Sequence, residues 1–199
     1  MSVKLAILKV EPCLELCDFV NYWSVFYHYN DIDRYLLNIN VKKFTSNNLK
    51  ELFQWKNGMT LHGSGGKERS LQLKILNRIK TINEYKNTKK IDLDKFNKDF
   101  SDVTAVWRIF LLHIIQPKNY PMYDQHVHRT YNFLHGKDWS KINYKMPNTT
   151  KLDFYFKNYL PFVKELKFKN SKVLDEAFFA FGQFINTRNQ KRIFKQLEK

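Results

Sequence analysis

Hydrophobic residues recur along the chain at the three- and four-residue spacing of α-helices, and no run shows the alternation typical of a half-buried strand. Residues 103–115 carry this pattern most clearly, because apolar side chains repeat on one helical face and also fill the opposite one. A helix that is apolar on both faces is expected at the centre of a bundle. The sequence therefore predicts a buried central helix in this region.

Shorter helical patterns lie on both sides of the central helix. They cover residues 18–30, 46–57, 71–82, 92–100, 125–135, 150–159 and 172–186. Ser46 and Thr150 are expected as N-terminal caps, and Gly58 as a C-terminal stop. We therefore predict an all-α fold over residues 1–199, a helical bundle formed as a single domain or as two closely packed lobes, with a short basic tail at residues 188–199.

The composition supports a folded domain with a strongly basic surface. Hydrophobic residues make up 43% of the chain and aromatic residues 16%, so a sizeable core can form. The net charge is +15, from 34 basic and 19 acidic residues, and both halves of the chain contribute to it. A folded domain this basic most often binds nucleic acid, so we expect DNA, duplex or single-stranded, as the partner. The alternative explanation is a lysine-rich composition inherited from an AT-rich genome.

The cysteines and the apolar runs narrow the class of protein further. Cys13 and Cys17 are the only cysteines, too few for a disulfide framework, and we expect two small buried side chains. Residues 1–10 lack the features of a signal peptide, and no apolar run reaches the roughly 18 residues that a membrane span needs. We therefore expect a cytoplasmic protein with no membrane partner and no cofactor.

Asp124 is the only acidic residue between Val103 and Lys137, in a stretch that is otherwise basic and rich in histidine. A carboxylate at the start of the predicted helix could stabilise developing positive charge or take a proton from water. The simpler interpretation is an N-terminal cap, which accepts hydrogen bonds from the next turn. The two roles are compatible, because a capping carboxylate still has a second oxygen to present to a substrate.

The residues around Asp124 also resemble a known motif. Residues 120–129 read Tyr-Pro-Met-Tyr-Asp-Gln-His-Val-His-Arg and resemble the Val-Asp-x-His-Val-x-Arg segment of the helix-hairpin-helix DNA glycosylases. The resemblance implies that Asp124 is the catalytic carboxylate, that residues 103–115 form the second helix of the hairpin, and that residues 174–182 correspond to a closing helix. Such enzymes flip a base out of the duplex into a pocket, where its glycosidic bond is cleaved.

Three features of that family are absent from this sequence. Residues 98–104 contain no glycine, so the Gly-x-Gly turn that binds a DNA phosphate is missing. No lysine occurs at residues 103–106, near which bifunctional members place their nucleophile, and the four-cysteine cluster motif is lacking. The resemblance therefore implies a diverged, monofunctional enzyme in which Asp124 acts with water. The alternatives are a non-catalytic nucleic-acid-binding module of the same fold and a helical protein-interaction protein.

A glycine-rich loop, His62-Gly63-Ser64-Gly65-Gly66-Lys67, precedes the predicted helix around residue 71. Backbone amides at such a helix start can hold a phosphate, although a flexible surface loop is the other interpretation. His126 and His128 form a His-x-His pair without a third ligand, so no metal is expected. The predicted DNA-binding residues are Gly65, Gly66, Lys67, Arg69, Lys118, His126 and Arg129.

Overall fold

The computed structural model describes residues 15–29, 31–63, 65–166 and 171–187, and within them it contains helices and loops but no β-strand. The predicted all-α fold is therefore confirmed for this part of the chain, which forms one helical domain around a shared core. In order, the helices are α1 (Leu16–Ser24), α2 (Ile32–Ile39), α3 (Ser46–Asn57), α4 (Gly66–Lys74), α5 (Ile79–Lys86), α6 (Leu93–Asp99), α7 (Ala105–Ile115), α8 (Gln125–Leu134), α9 (Asn148–Phe154), α10 (Leu160–Glu165) and α11 (Ser171–Phe184). A π-helical turn, Tyr155–Tyr159, joins α9 to α10 without a break.

Helix α7 is the buried central helix that its two apolar faces predict. His113 of α7 is itself buried and links three parts of the fold. Its Nε2 lies 2.7 Å from the Tyr35 hydroxyl of α2, and its Nδ1 lies 2.8 Å from the Tyr120 carbonyl oxygen in the loop before α8. Burial lowers the pKa of His113 to about 4, so the ring is neutral at physiological pH and serves as a structural connector.

Two predicted N-terminal caps, Ser46 and Thr150, are wrong by one and three residues. Thr45, not Ser46, caps α3: its hydroxyl accepts from the backbone amide of Asn48 at 3.2 Å, and the Asn48 side chain accepts in return from the Thr45 amide at 2.9 Å. This reciprocal pair satisfies two amides at once, which a cap at the next residue could not do. Helix α9 starts at Asn148, so Thr150 lies inside it.

Helices α8 and α11 cross at Gly182, and their close approach sets the position of the first turn of α8. A Cβ atom at Gly182 would lie 2.1 Å from the carbonyl oxygen of His126, so no other residue fits without moving a helix. The Thr130 hydroxyl donates to the Phe178 carbonyl at 2.6 Å across the same interface. The other side of α11 packs on α1, where Phe19 lies edge-on to Phe181.

Cys17 is exposed, which corrects the expectation of a buried side chain. The physical reason is that α1 lies at the edge of the bundle and buries only Phe19 and Val20. Cys13, residues 1–10 and the predicted tail at 188–199 lie outside the described residues. Among the helices that the structure describes, none is long and apolar enough to cross a membrane. A cytoplasmic location stays a prediction.

Candidate functional site around Asp124

Asp124 is the N-terminal cap of α8. Its Oδ1 atom accepts hydrogen bonds from the backbone amides of His126 at 2.8 Å and Val127 at 3.0 Å. The capping interpretation is therefore confirmed. Both bonds converge on one oxygen, so the second oxygen of the carboxylate is left to face another group.

That other group is Lys56, in the last turn of α3. The Nζ atom of Lys56 lies 3.9 Å from Oδ2 of Asp124, and the two side chains are only 11% and 19% exposed. The sequence pattern does not single out Lys56, because the pair forms between two residues that lie far apart in the chain. The position of Lys56 follows from the left-handed turn at Gly58, which ends α3 beside the start of α8.

A buried carboxylate of α11 fixes the segment that leads into Asp124. Oδ2 of Asp175 accepts from the Met122 amide at 3.0 Å, and its Oδ1 accepts from the Tyr159 hydroxyl at 2.7 Å. The Tyr155 hydroxyl donates to the Pro121 carbonyl at 2.9 Å, one residue earlier. Burial raises the pKa of Asp175 to about 7, although these two hydrogen bonds oppose the shift.

Two tyrosines from the loop after α1 border the Asp124–Lys56 pair. The Tyr29 hydroxyl donates to the carbonyl oxygens of Trp55 at 2.9 Å and Lys56 at 3.2 Å. The rings of Tyr27 and Tyr29 are nearly parallel, and both meet the edge of Phe179 from α11. Burial raises the pKa of Tyr29 to about 12, and the negative charge of Asp124 adds to the shift. The site is therefore an aromatic surface beside an ion pair.

An open cavity of about 420 Å³ lies next to this aromatic surface. Tyr29 and Trp55 belong to its wall, together with Met59 from the loop after α3 and Gln183 from α11. Asp124 does not line it. Tyr29, whose hydroxyl also bonds the carbonyl oxygens of Trp55 and Lys56, thus belongs both to the cavity wall and to the surroundings of the ion pair.

Two of the predicted DNA-binding residues, His126 and Arg129, lie close to Asp124 but face inwards. Arg129 is only 2% exposed, and its guanidinium donates twice to the Ile142 carbonyl, at 3.1 and 2.8 Å. A third nitrogen of Arg129 lies 2.9 Å from Nδ1 of His126. The ring of His126 packs against Phe179, and burial lowers its pKa. These two residues hold the first turns of α8 in place, and Arg129 presents almost no surface to a ligand.

His128, the second histidine of the His-x-His pair, points away from His126. Its ring stacks on Phe154 with a centroid distance of 3.5 Å, and its Nδ1 lies 3.1 Å from the Tyr123 hydroxyl. Burial lowers the pKa of His128 to about 4. Across the described residues, no group of three or more metal-binding side chains comes together.

The other predicted DNA-binding residues are exposed and lie in loops or in the first turn of a helix. Gly65, Gly66, Lys67 and Arg69 are exposed at the start of α4, and Lys118 is exposed in the loop after α7. The amide of Gly63 donates to the Glu68 carboxylate at 2.9 Å, and the other oxygen of Glu68 lies 3.0 Å from Nδ1 of His62. A carboxylate of the protein thus already occupies part of the predicted phosphate nest. Lys67 reaches back to Met59, 3.6 Å away, at the wall of the cavity.

Comparison with known proteins identifies no relative of this chain. No protein-family model matches the chain, and neither the curated proteins nor the solved structures provide a match.

Proposed function

We propose that this protein binds DNA and acts on it as a monofunctional, glycosylase-like hydrolase with Asp124 as its catalytic carboxylate. One observation carries the proposal. Asp124 opens a helix with one oxygen held by two backbone amides, while its other oxygen faces Lys56 at the border of an aromatic surface. A carboxylate held this firmly can stabilise positive charge without first having to reorganise.

The chemistry would proceed through a sugar cation. When the glycosidic bond breaks, the bonding electrons leave with the base, and positive charge develops on the sugar carbon. The oxygen of Asp124 that faces Lys56 would stabilise that charge. A water molecule then adds to the carbon, and the proton that it loses is taken up by the departed base. Tyr29 and the neighbouring cavity offer a surface on which a flipped base could rest. Lys56 would orient the reactive oxygen of Asp124.

Asp124→Asn tests the catalytic part of the proposal. Asparagine keeps the shape and much of the capping ability but removes the charge, so base release should fall at least about 100-fold while DNA binding persists. Base release is measured on duplexes that carry damaged or modified bases, and DNA binding by fluorescence anisotropy on the same duplexes. Base release that survives in Asp124→Asn would remove Asp124 from the mechanism.

Borohydride tests whether the enzyme is monofunctional, that is, whether it acts without an amine nucleophile. An amine that attacks the sugar forms a Schiff base, which borohydride reduces to a stable protein–DNA adduct. We expect no adduct, because Lys56 is engaged in an ion pair with the carboxylate. An adduct that forms in the wild type and disappears in Lys56→Gln would instead make Lys56 the nucleophile. Loss of the adduct in Lys118→Gln alone would point to the lysine nearest to Asp124 in the sequence.

A non-catalytic nucleic-acid-binding module is the second candidate, and one observation favours it. Both oxygens of Asp124 already have partners within the protein, as a purely structural cap would. This candidate predicts salt-dependent DNA binding by the wild type and no base release from any substrate. A helical protein-interaction protein would not bind DNA and would not release a base. Anisotropy at low salt therefore distinguishes it from both other candidates.

A further inference from the structure

Lys86 lies where three loops meet at one end of the bundle. The loops are residues 40–43, 87–90 and 116–119. The Nζ atom of Lys86 is 3.4 Å from the Ile39 carbonyl and 3.3 Å from the Ile114 carbonyl, at the C-terminal ends of α2 and α7. It also lies over the ring of Phe44, 4.0 Å from the centroid. One half-buried lysine thus satisfies two helix ends and brings the loops that follow them together.

Further hydrogen bonds fasten the same three loops. Asn83 of α5 bonds both the amide and the carbonyl of Phe44, at 2.7 and 2.9 Å, which ties the loop before α3 to α5. The Gln116 side chain donates to the Thr88 carbonyl at 2.8 Å, which ties the loop after α7 to the loop after α5. Residues 40–43, 87–90 and 116–119 are therefore neighbours on a well-supported surface.

These loops carry a concentration of unpaired positive charge. Five exposed lysines belong to them, and no ion pair involving any of the five is found among the described residues. They are Lys42, Lys43, Lys89, Lys90 and Lys118. We refer to these five residues together as the three-loop lysine patch. Asp92, the nearest acid after Lys90, is engaged in capping α6. Exposed Asn40, Asn87 and Asn119 add amide donors to the same loops.

We propose that the three-loop lysine patch binds the phosphate backbone of nucleic acid. This inference rests on the proposed function and names the surface that would carry the ligand. Lysines held on supported loops, with amides between them, suit a line of phosphates. Lys118 lies six residues before Asp124, so the two are separated by at most about 20 Å. A duplex strand that carries one phosphate for roughly every 3.4 Å of helix axis could therefore extend from the patch to the site.

The patch fits a membrane surface less well. Peripheral binding to lipid combines basic residues with apolar side chains that insert from an amphipathic helix. The exposed large apolar residues of the described chain lie outside all three loops. Anionic vesicles therefore serve as the contrasting ligand in the test.

Two variants of equal net charge test the proposal. The patch variant replaces the five patch lysines by glutamine. The control variant replaces five exposed lysines elsewhere by glutamine, namely Lys137, Lys141, Lys145, Lys157 and Lys164. Each lowers the net charge from +15 to +10, since five charges are removed. Lys86 is left intact because it supports the loops, and thermal melting verifies that both variants fold.

Anisotropy with a fluorescent DNA duplex is measured between roughly 50 and 200 mM salt. We expect the patch variant to bind at least about tenfold more weakly than the control variant. The slope of log K against log salt should shrink by about 0.9 for each patch lysine that contacts a phosphate, up to about 4.5 in all.

If both variants lose DNA affinity equally, the proposal for the patch is wrong, although the wild type still binds DNA. No binding by the wild type would overturn the proposed function as well. Wild-type binding to anionic phosphatidylserine vesicles that the patch variant loses, with DNA binding retained, would show that the patch is a lipid surface instead.

Discussion

The start of α8 and the glycine-rich loop before α4 both present backbone amides at a helix N-terminus, yet they are built in opposite ways. At α8, the capping carboxylate faces a lysine of α3, and the residues before it are held by Asp175 of α11 and by Tyr155. At α4, the contacts are local, because Glu68 bonds Gly63 and His62 of the same loop. Distant elements therefore hold the start of α8, whereas the hydrogen bonds of Glu68 at the start of α4 stay within its own segment of the described chain.

The difference also concerns local stability. Groups held by contacts between distant parts of a chain are released only when much of the fold opens, whereas a loop with local contacts opens by itself. Four tests compare the two regions, in order from the largest expected effect to the smallest.

Gly182→Ala should have the largest effect, because its Cβ would meet the carbonyl oxygen of His126 at 2.1 Å and push α11 away from α8. We expect a loss of more than about 3 kcal/mol in the free energy of unfolding, measured by chemical denaturation. The matched control is Gly66→Ala at the start of α4, where a Cβ meets nothing within 4 Å. That control should change stability by less than about 1 kcal/mol. Similar losses in both variants would contradict the contrast between the regions.

Asp175→Asn should change how stability depends on pH. The folded state raises the pKa of this carboxyl group from 3.8 to about 7, so it holds a proton that the unfolded chain releases. The group therefore lowers the stability of the wild type progressively as the pH rises from about 4 to about 7. Between pH 5 and pH 8, the wild type should lose about 2 to 3 kcal/mol relative to the variant. Parallel stability curves for the two proteins would show that Asp175 does not titrate in this range.

Asp124→Ala removes the cap of α8 and should cost about 1 kcal/mol in stability, while Asp124→Asn should cost only a few tenths. Circular dichroism melting measures both. Asparagine can still accept from the amides of His126 and Val127, so only the charge facing Lys56 is lost. If alanine and asparagine destabilise equally, the ion pair and not the cap holds this helix start.

The central features of the fold could be predicted from local patterns. The two apolar faces of residues 103–115 correctly indicate a buried α7, and an aspartate directly before a polar helix correctly indicates the cap at Asp124. The cap of α3 was also within reach, because Asn48 stands three residues after Thr45, the spacing of a reciprocal capping pair.

The surroundings of Asp124 could not be predicted in this way. Lys56 pairs with Asp124, and Asp175 holds Met122 two residues before it, only after the helices pack, so no local pattern marks either residue. Arg129 has the charge expected of a phosphate ligand, yet the Ile142 carbonyl from the loop after α8 draws it into the interior. The surroundings of Asp124 and the burial of Arg129 both depend on contacts between residues that are distant in the chain. A single sequence does not reveal which of those residues come into contact.

The smallest effect on stability is expected from the double substitution Lys67→Ala and Arg69→Ala in the first turn of α4, directly after the glycine-rich loop. Both side chains are exposed, and Lys67 makes only a weak contact to the sulfur of Met59 among the described residues, so the unfolding free energy should change by less than about 0.5 kcal/mol. DNA binding should nevertheless weaken, and the slope of log K against log salt should shrink by up to about 1.8 if both residues contact phosphates. Glu68→Gln in the same helical turn provides the complementary measurement. It removes the carboxylate that accepts from the Gly63 amide, so it should strengthen DNA binding if that amide can receive a phosphate. Binding that neither variant alters, with the fold intact, would mean that the glycine-rich loop and the start of α4 take no part in DNA binding.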